Sequence, residues 1–193
     1  SRGLGDVYKR QLVASVWGSL GAAHMNEIMT DFIVRACAKP FFNLIHSAGK
    51  AGYSRMKDAL EREKPDYARL GMDVRDYIYD MPRVMAAADL VLCRAGASTL
   101  AELTAMGKPA ILVPSPNVTN NHQEKNARVL EEAGGAKVML EQDFTADSLL
   151  GLVSELLQRP ERLKEMSQNM LGLGVPDATD RIADIVLGLA ERK

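Results

Sequence analysis

The chain has 193 residues, a net charge of −1, a hydrophobic fraction of 47% and a charged fraction of 25%. These values are typical of one folded domain with a full hydrophobic core. They argue against nucleic acid as a partner, because a strongly basic balance is lacking. No run approaches the roughly 18 apolar residues that a membrane-spanning helix needs.

The two cysteines, Cys37 and Cys93, fall in different predicted elements, one in an apolar helix and one in an apolar strand. This placement favours buried free thiols in a reducing cytoplasm. The cysteines and the three histidines show no spacing typical of zinc ligands. The sequence therefore predicts no metal site.

Residues 1–11 differ from the rest of the chain and resemble translated adapter sequence. No apolar segment of a signal peptide follows their charges. We interpret residues 1–11 as a foreign segment and leave them out of the fold prediction. Because the first residue is not Met, we expect a fragment of a longer protein.

Short apolar runs alternate with segments of helical periodicity along residues 12–193. Strands are predicted at 12–17, 41–46, 69–77, 90–94, 110–114 and 136–140. Helices are predicted at 25–39, 53–63, 82–88, 98–106, 122–132, 145–158, 161–172 and 177–192. This alternation indicates an α/β fold, a Rossmann-like parallel sheet with helices on both faces. Such a sheet binds ligands beyond the carboxyl ends of its strands.

The segment after the first strand, Gly18-Ser19-Leu20-Gly21-Ala22, has the glycines of a phosphate-binding turn that leads into a helix. An ordinary strand-to-helix turn explains this motif equally well. A dinucleotide site fits poorly, because the glycine spacing is wrong and the second strand ends in His46-Ser47-Ala48-Gly49 without a carboxylate for the ribose. Gly49-Lys50-Ala51 also lacks the surroundings of a Walker A loop.

The segment after the fourth strand, Arg94 to Glu102, is the most informative in the chain. Its small residues leave room at a helix start, where the N–H groups of Ala97 to Thr99 would face an anion. A leaving diphosphate would gain most, because its charge grows as a glycosidic bond breaks. Glu102 has two interpretations: a capping box with Thr99, which local spacing favours, or a carboxylate that accepts hydrogen bonds from both ribose hydroxyls of a nucleotide.

The fifth strand is followed by a polar loop and by a helix whose first residues carry amides. Gln123 and Asn126 lie three positions apart and therefore share one helix face. Amides both donate and accept hydrogen bonds, which suits sugar hydroxyls. A polar helix start capped by Asn121 is the structural alternative.

Together these segments resemble the C-terminal domain of the MurG family. The resemblance rests on Tyr77 to Met81, Ala88 to Glu102, Gly107 to Pro114 and Asn121 to Ala127, which occur in the family's order. Members of that family are GT-B glycosyltransferases, with two Rossmann-like domains facing across a cleft. They transfer N-acetylglucosamine (GlcNAc) from UDP-GlcNAc to a lipid-linked acceptor, lipid I, which gives lipid II in peptidoglycan synthesis.

The resemblance implies a substrate-binding role for each matching position. These positions are Ser19 at the donor diphosphate, Ile78 at the uracil edge, Ala97, Ser98, Thr99, Leu100 and Ala101 along the phosphate-binding helix start, Glu102 at the ribose, Gln123 at the GlcNAc hydroxyls and Asn126 nearby. Trp17 departs from the family, which usually has Gly there. Its indole could pack under the loop or crowd the phosphates.

No catalytic residue, metal or cofactor is implied in this half, because the family's expected histidine base lies in the N-terminal domain. We expect structural roles for the three histidines present, His24, His46 and His122. Residues 12–175 are expected to form the UDP-sugar domain, and residues 176–193 a helix that returns toward the N-terminal domain.

The implied partners are the donor UDP-GlcNAc and a lipid-linked acceptor held by the N-terminal domain. Membrane contact is expected mainly through that other half, with the full-length protein at the cytoplasmic face of the cell membrane. The fragment alone should bind without turnover. Two alternatives stay open: another UDP-sugar transferase or epimerase of the GT-B type, and a non-catalytic nucleotide- or protein-binding domain without uridine preference.

Overall fold

A single parallel sheet organises the chain in a computed structural model that describes residues 10–18 and 23–190. The strands are β1 (Leu12–Val16), β2 (Asn43–Ser47), β3 (Met72–Arg75), β4 (Leu90–Cys93), β5 (Ala110–Leu112) and β6 (Ala136–Val138). Their spatial order is β3-β2-β1-β4-β5-β6, and every neighbouring pair is parallel. The predicted Rossmann-like fold, one half of a GT-B architecture, is therefore confirmed.

Helices connect the strands and cover the sheet. The α-helices of the described residues are α1 (Ala23–Ala36), α2 (Lys50–Glu63), α3 (Met81–Ala87), α4 (Ala97–Ala105), α5 (His122–Glu132), α6 (Ala146–Leu157), α7 (Pro160–Leu173) and α8 (Ala178–Ala190). None of them is long and apolar enough to cross a membrane.

The hydrophobic core lies on both faces of the sheet, because successive side chains of a strand point in opposite directions. Val13 belongs to a buried cluster with Phe32 of α1 and Leu149 of α6. Its neighbour Ala14 belongs to a second cluster with Leu103 of α4. Continuous apolar strands predicted this two-sided burial.

The third strand is shorter than the sequence predicts. The start of the predicted strand 69–77 belongs to a 3₁₀ turn, Tyr67–Leu70, and only Met72–Arg75 form β3. Gly71 separates them with φ of 94°, and a side chain at this position would clash with Asn43. The left-handed conformation of one glycine thus ends the turn and sets the start of the strand.

The chain order of the sheet reverses between β1 and β4. From β1 the chain builds outward through β2 and β3, and then returns to place β4 on the other side of β1. In an open parallel sheet, such a reversal leaves a crevice at the carboxyl ends of the two central strands. The segments after β1 and β4 are therefore the ones that can reach a ligand.

A buried polar network links β1, α1 and β2 around His46, which is fully buried. The Nδ1 atom of His46 lies 3.0 Å from the Ser15 hydroxyl oxygen, and Nε2 lies 3.3 Å from Asn26 Oδ1. Asn26 donates its own Nδ2–H to the carbonyl of Ala48 at 2.7 Å. Its Oδ1 therefore faces His46 as an acceptor, which places a proton on Nε2 of the imidazole.

We expect this histidine to make the fold less stable in mild acid. Burial lowers the pKa of His46 from 6.5 to about 3. Below about pH 6.5 the unfolded chain therefore binds a proton that the folded chain does not, and stability falls by up to about 1.4 kcal/mol per pH unit. The free energy of unfolding, measured with urea between about pH 7 and 5, should show this dependence on pH. In His46→Leu the slope should be smaller by the contribution of one bound proton. Equal slopes in both chains would contradict the prediction.

Candidate functional site

A cavity of about 370 Å³ opens at the carboxyl ends of β1 and β4, where the order of the sheet reverses. Its lining residues in the described ranges are Val16, Trp17, Gly18, Ser47, Tyr77, Ile78, Met81, Met85, Cys93, Arg94, Gly96, Thr99, Glu102 and Gln123. Four predicted site residues, Ile78, Thr99, Glu102 and Gln123, are therefore brought together from three separate segments.

The other predicted site residues do not line this cavity. Ala97 and Ser98 are exposed at the start of α4, Ala101 is exposed one turn later, and Asn126 is half-buried on α5. The side chain of Leu100 is turned into the core. Ser19 lies outside the described residues.

The start of α4 leaves its first N–H groups available to a ligand. Its N-cap is Gly96, which has no side chain to accept a hydrogen bond, and the first intrahelical bond runs from Leu100 N–H to the Gly96 carbonyl at 3.0 Å. The N–H groups of Ala97, Ser98 and Thr99 precede that bond and have no helical acceptor. Together with the helix dipole they form an anion-binding position beside the cavity.

The capping-box interpretation of Thr99 and Glu102 is wrong. The helix begins at Ala97, so that Thr99 already lies within its first turn, and no side chain caps it. Glu102 instead lines the cavity, and its carboxylate makes no hydrogen bond or ion pair to any other described residue. Its carboxylate is therefore free to accept hydrogen bonds from a ligand.

Cys93 lies at the floor of the same cavity but has no reactive thiolate. Burial, and secondarily the negative charge of Glu102, raise the pKa of the Cys93 thiol to about 12. The thiol is therefore protonated and weakly nucleophilic at neutral pH. Both cysteines are buried and free, as predicted.

The loop between β3 and α3 presents backbone groups at one wall of the cavity. The side chain of Ile78 is buried, with 2% exposure, and anchors the loop in the core. Neither its N–H nor its carbonyl is hydrogen-bonded within the described chain. An anchored residue with both backbone groups unpaired can pair with the edge of a planar base.

Two tyrosines flank Ile78, of which Tyr77 lines the cavity, and sequence reasoning assigned neither a role of its own. Tyr77 and Tyr79 are 39% and 77% exposed, and their ring centroids lie 5.0 Å apart in an edge-to-face arrangement. The Tyr77 N–H donates to the Asp76 carboxylate at 2.7 Å, which fixes the start of this loop. Their alternation around an apolar residue is the sequence signal that could have identified them as a pair.

Arg94 is a third residue to which sequence reasoning assigned no role. Its Nη1 atom lies 2.7 Å from Glu141 Oε2 in a mostly buried ion pair. The same atom donates to the carbonyls of Val113 and Pro114 at 3.1 and 3.2 Å. Arg94 thereby ties the end of β4 to the end of β5, directly beside the cavity.

Trp17 directly follows β1 and is buried in the hydrophobic core. The indole is only 4% exposed, meets Phe144 edge to face at 5.3 Å between ring centroids, and carries the Arg94 guanidinium 5.9 Å above its ring. The indole is therefore part of the hydrophobic core, and Trp17 also lines the cavity. The loop that follows, residues 19–22, lies outside the described residues.

Gln123 reaches the cavity from the first turn of α5. The two residues before this helix, Asn120 and Asn121, both adopt left-handed conformations, with φ of 55° and 51°. Asn121 is the N-cap, but its side chain donates to Glu124 at 2.6 Å and leaves the helix N–H groups uncapped. This kink sets the direction in which α5 begins and brings Gln123 to the cavity wall.

These segments occur along the chain in the same order as in a known sequence family. Residues 13–182 match the glycosyltransferase family 28 C-terminal domain. The chain belongs to this family. The MurG resemblance seen in the sequence is thereby confirmed.

Two curated relatives carry the same name, UDP-N-acetylglucosamine–N-acetylmuramyl-(pentapeptide) pyrophosphoryl-undecaprenol N-acetylglucosamine transferase. The protein of Desulfitobacterium hafniense (strain Y51) is 42% identical over 173 residues, which are 90% of this chain and 47% of the relative. That of Bacillus cytotoxicus is 37% identical over 192 residues, which are 99% of this chain and 51% of the relative. The chain thus spans about half the length of these relatives.

Solved structures agree with this assignment. The crystal structure of Acinetobacter baumannii MurG superposes with a TM-score of 0.80 and 27% identity, over 95% of this chain and 51% of that one. A UDP-GlcNAc 2-epimerase from Neisseria meningitidis bound to UDP-GlcNAc gives a TM-score of 0.63 at 14% identity, over 93% of this chain and 45% of that one. The second likeness concerns the fold alone.

Proposed function

We propose that the chain is the donor-binding half of an N-acetylglucosaminyltransferase that transfers GlcNAc from UDP-GlcNAc to lipid I and so forms lipid II. The observation that carries the proposal is the meeting of Ile78, the start of α4, Glu102 and Gln123 around one cavity. Relatives 37% and 42% identical to this chain are named for that reaction.

The groups around the cavity match the uracil, ribose, diphosphate and sugar of a UDP-sugar, one after another. The unpaired backbone of Ile78 suits the edge of uracil, and the free carboxylate of Glu102 can accept from two ribose hydroxyls. The N–H groups at the start of α4 lie one turn before Glu102 and suit the diphosphate. Gln123, at the start of the next helix along the chain, would hydrogen-bond to the sugar.

The start of α4 is also the part of this chain that would stabilise the leaving group. As the glycosidic bond breaks, charge accumulates on the departing diphosphate, and fixed N–H donors stabilise that charge more than the ground state. The helix dipole adds about 0.3–1 kcal/mol at an exposed position and up to about 2 kcal/mol when partly buried. The described residues hold no cluster of His, Cys, Asp or Glu placed to bind a metal ion.

No histidine of the described chain lines the cavity, and His46 is buried and neutral. Activation of the acceptor is therefore assigned to the part of the relatives that this chain does not span. The lipid-linked acceptor, the contact with the cytoplasmic membrane face and the cytoplasmic location belong to this same proposal.

Helix α8 carries the surface expected to meet that other part. Ile182, Ile185, Val186 and Leu189 recur at helical spacing along one face, and each is 59–63% exposed. Exposed apolar rows of this kind mark interaction surfaces. The division into a donor domain at 12–175 and a returning helix at 176–193 is proposed on this basis.

Calorimetric titration of the 193-residue chain with UDP, UDP-GlcNAc, ADP and ADP-glucose tests the proposal. Half of a cleft should bind weakly, and we expect a Kd of about 10 μM to 1 mM for the uridine ligands, or about −7 to −4 kcal/mol. The adenine ligands should bind at least about tenfold more weakly, because the Ile78 backbone matches uracil. Equal binding of both bases by a folded sample would favour the non-catalytic alternative instead.

A further inference from the structure

The side chain of Gln123 is held by the main chain of the preceding loop. The N–H of Ser115 donates to Gln123 Oε1 at 2.9 Å. A backbone N–H can only donate, so the amide oxygen is the atom that must face it. The NH₂ group of Gln123 is therefore directed away from Ser115, on a side chain that lines the cavity.

The carbonyl of the same peptide unit is also hydrogen-bonded. The carbonyl of Pro114 and the N–H of Ser115 belong to one planar group and point in opposite directions. That carbonyl accepts from Arg94 Nη1 at 3.2 Å, and Arg94 is itself paired with Glu141 at 2.7 Å. A charged donor on the carbonyl polarises the peptide and strengthens its N–H as a donor.

We propose that the Pro114–Ser115 peptide is a positioning group that turns the NH₂ group of Gln123 toward the ligand as a hydrogen-bond donor. This inference rests on the proposed function and deepens it. The sugar must then place an atom with a lone pair, such as a hydroxyl or carbonyl oxygen, against Gln123. A group that can only donate, such as an ammonium, finds no acceptor in that NH₂ group.

The test compares how much tighter UDP-GlcNAc binds than UDP in variants of the whole chain. Ser115→Pro removes the N–H, and Ser115→Ala is the matched control that retains it. Ser115→Pro and Gln123→Ala should each weaken UDP-GlcNAc by about three- to tenfold and leave UDP unchanged, since one neutral hydrogen bond is involved. Combining them should weaken binding no further than Gln123→Ala alone, because the peptide acts through Gln123.

Gln123→Glu provides a second arm if Ser115→Pro fails to fold. A carboxylate can still accept from Ser115 N–H but has no N–H to offer the sugar, so UDP-GlcNAc affinity should fall at least as far as in Gln123→Ala. Full additivity of Ser115→Pro with Gln123→Ala, or unchanged binding in Gln123→Glu, would overturn the inference and leave the proposed function standing. Absence of uridine binding in the unmodified chain would defeat both.

Discussion

Replacing Trp17 with alanine should lower the free energy of unfolding by about 3–5 kcal/mol. The indole is 4% exposed, packs on Phe144 and supports the Arg94 guanidinium, so its removal leaves a cavity under the end of β1. The indole Nε1–H has no hydrogen-bond partner among the described residues, so the loss comes from packing rather than from hydrogen bonding. Urea unfolding followed by circular dichroism measures the change.

Two further variants separate this effect from a general loss of aromatic surface. Trp17→Phe keeps a ring against Phe144 and should cost clearly less than Trp17→Ala. Tyr79→Ala removes an aromatic side chain that is 77% exposed and should change stability by no more than about 0.5 kcal/mol. A change below about 1 kcal/mol in Trp17→Ala would show that the indole does not support this end of the sheet.

Replacing Glu102 with glutamine should weaken UDP binding by about 10- to 100-fold. Hydrogen bonds to a charged group contribute about 1.5–3 kcal/mol, which corresponds to that range. The carboxylate has no partner among the described residues, so the substitution breaks no internal contact there. Calorimetry with UDP and with 2′-deoxy-UDP measures the effect, and the difference between the two ligands should shrink in the variant.

Glu132→Gln is the matched control for charge. Glu132 is exposed at the end of α5 and does not line the cavity, so this variant removes one carboxylate without touching the site. Its UDP affinity should stay within about twofold of the unmodified chain. If Glu102→Gln binds UDP as tightly as Glu132→Gln does, the ribose role of Glu102 is wrong.

The fold was predictable because its signals are local. Each apolar strand and each periodic helix can be recognised from a few consecutive residues. Their alternation along the chain indicates a parallel sheet. The differences lie at element ends, where one residue decides the outcome. Gly71 shortens β3, and Gly96 lets α4 begin early enough to free Glu102 from a capping box.

The supports of the site were not predictable, because they join residues far apart in the chain. Arg94 meets Glu141, and Trp17 meets Phe144, only after β4 and β1 have become neighbours. No spacing rule connects such pairs. The orientation of Gln123 likewise depends on a loop whose path is set by two asparagines in left-handed conformations.

The amide chemical shifts of the ¹⁵N-labelled chain during titration with UDP-GlcNAc would show where on the chain the donor binds. We expect the largest changes at Ile78, at Ala97 to Thr99 and at the Gln123 side-chain amide, which lie around the cavity at the ends of β1 and β4. A second cavity, lined by Asn26, Arg55 and other residues of α1 and α2, should stay unperturbed. Changes centred on that second cavity, or none at saturating ligand, would contradict the assignment of this chain as the donor half.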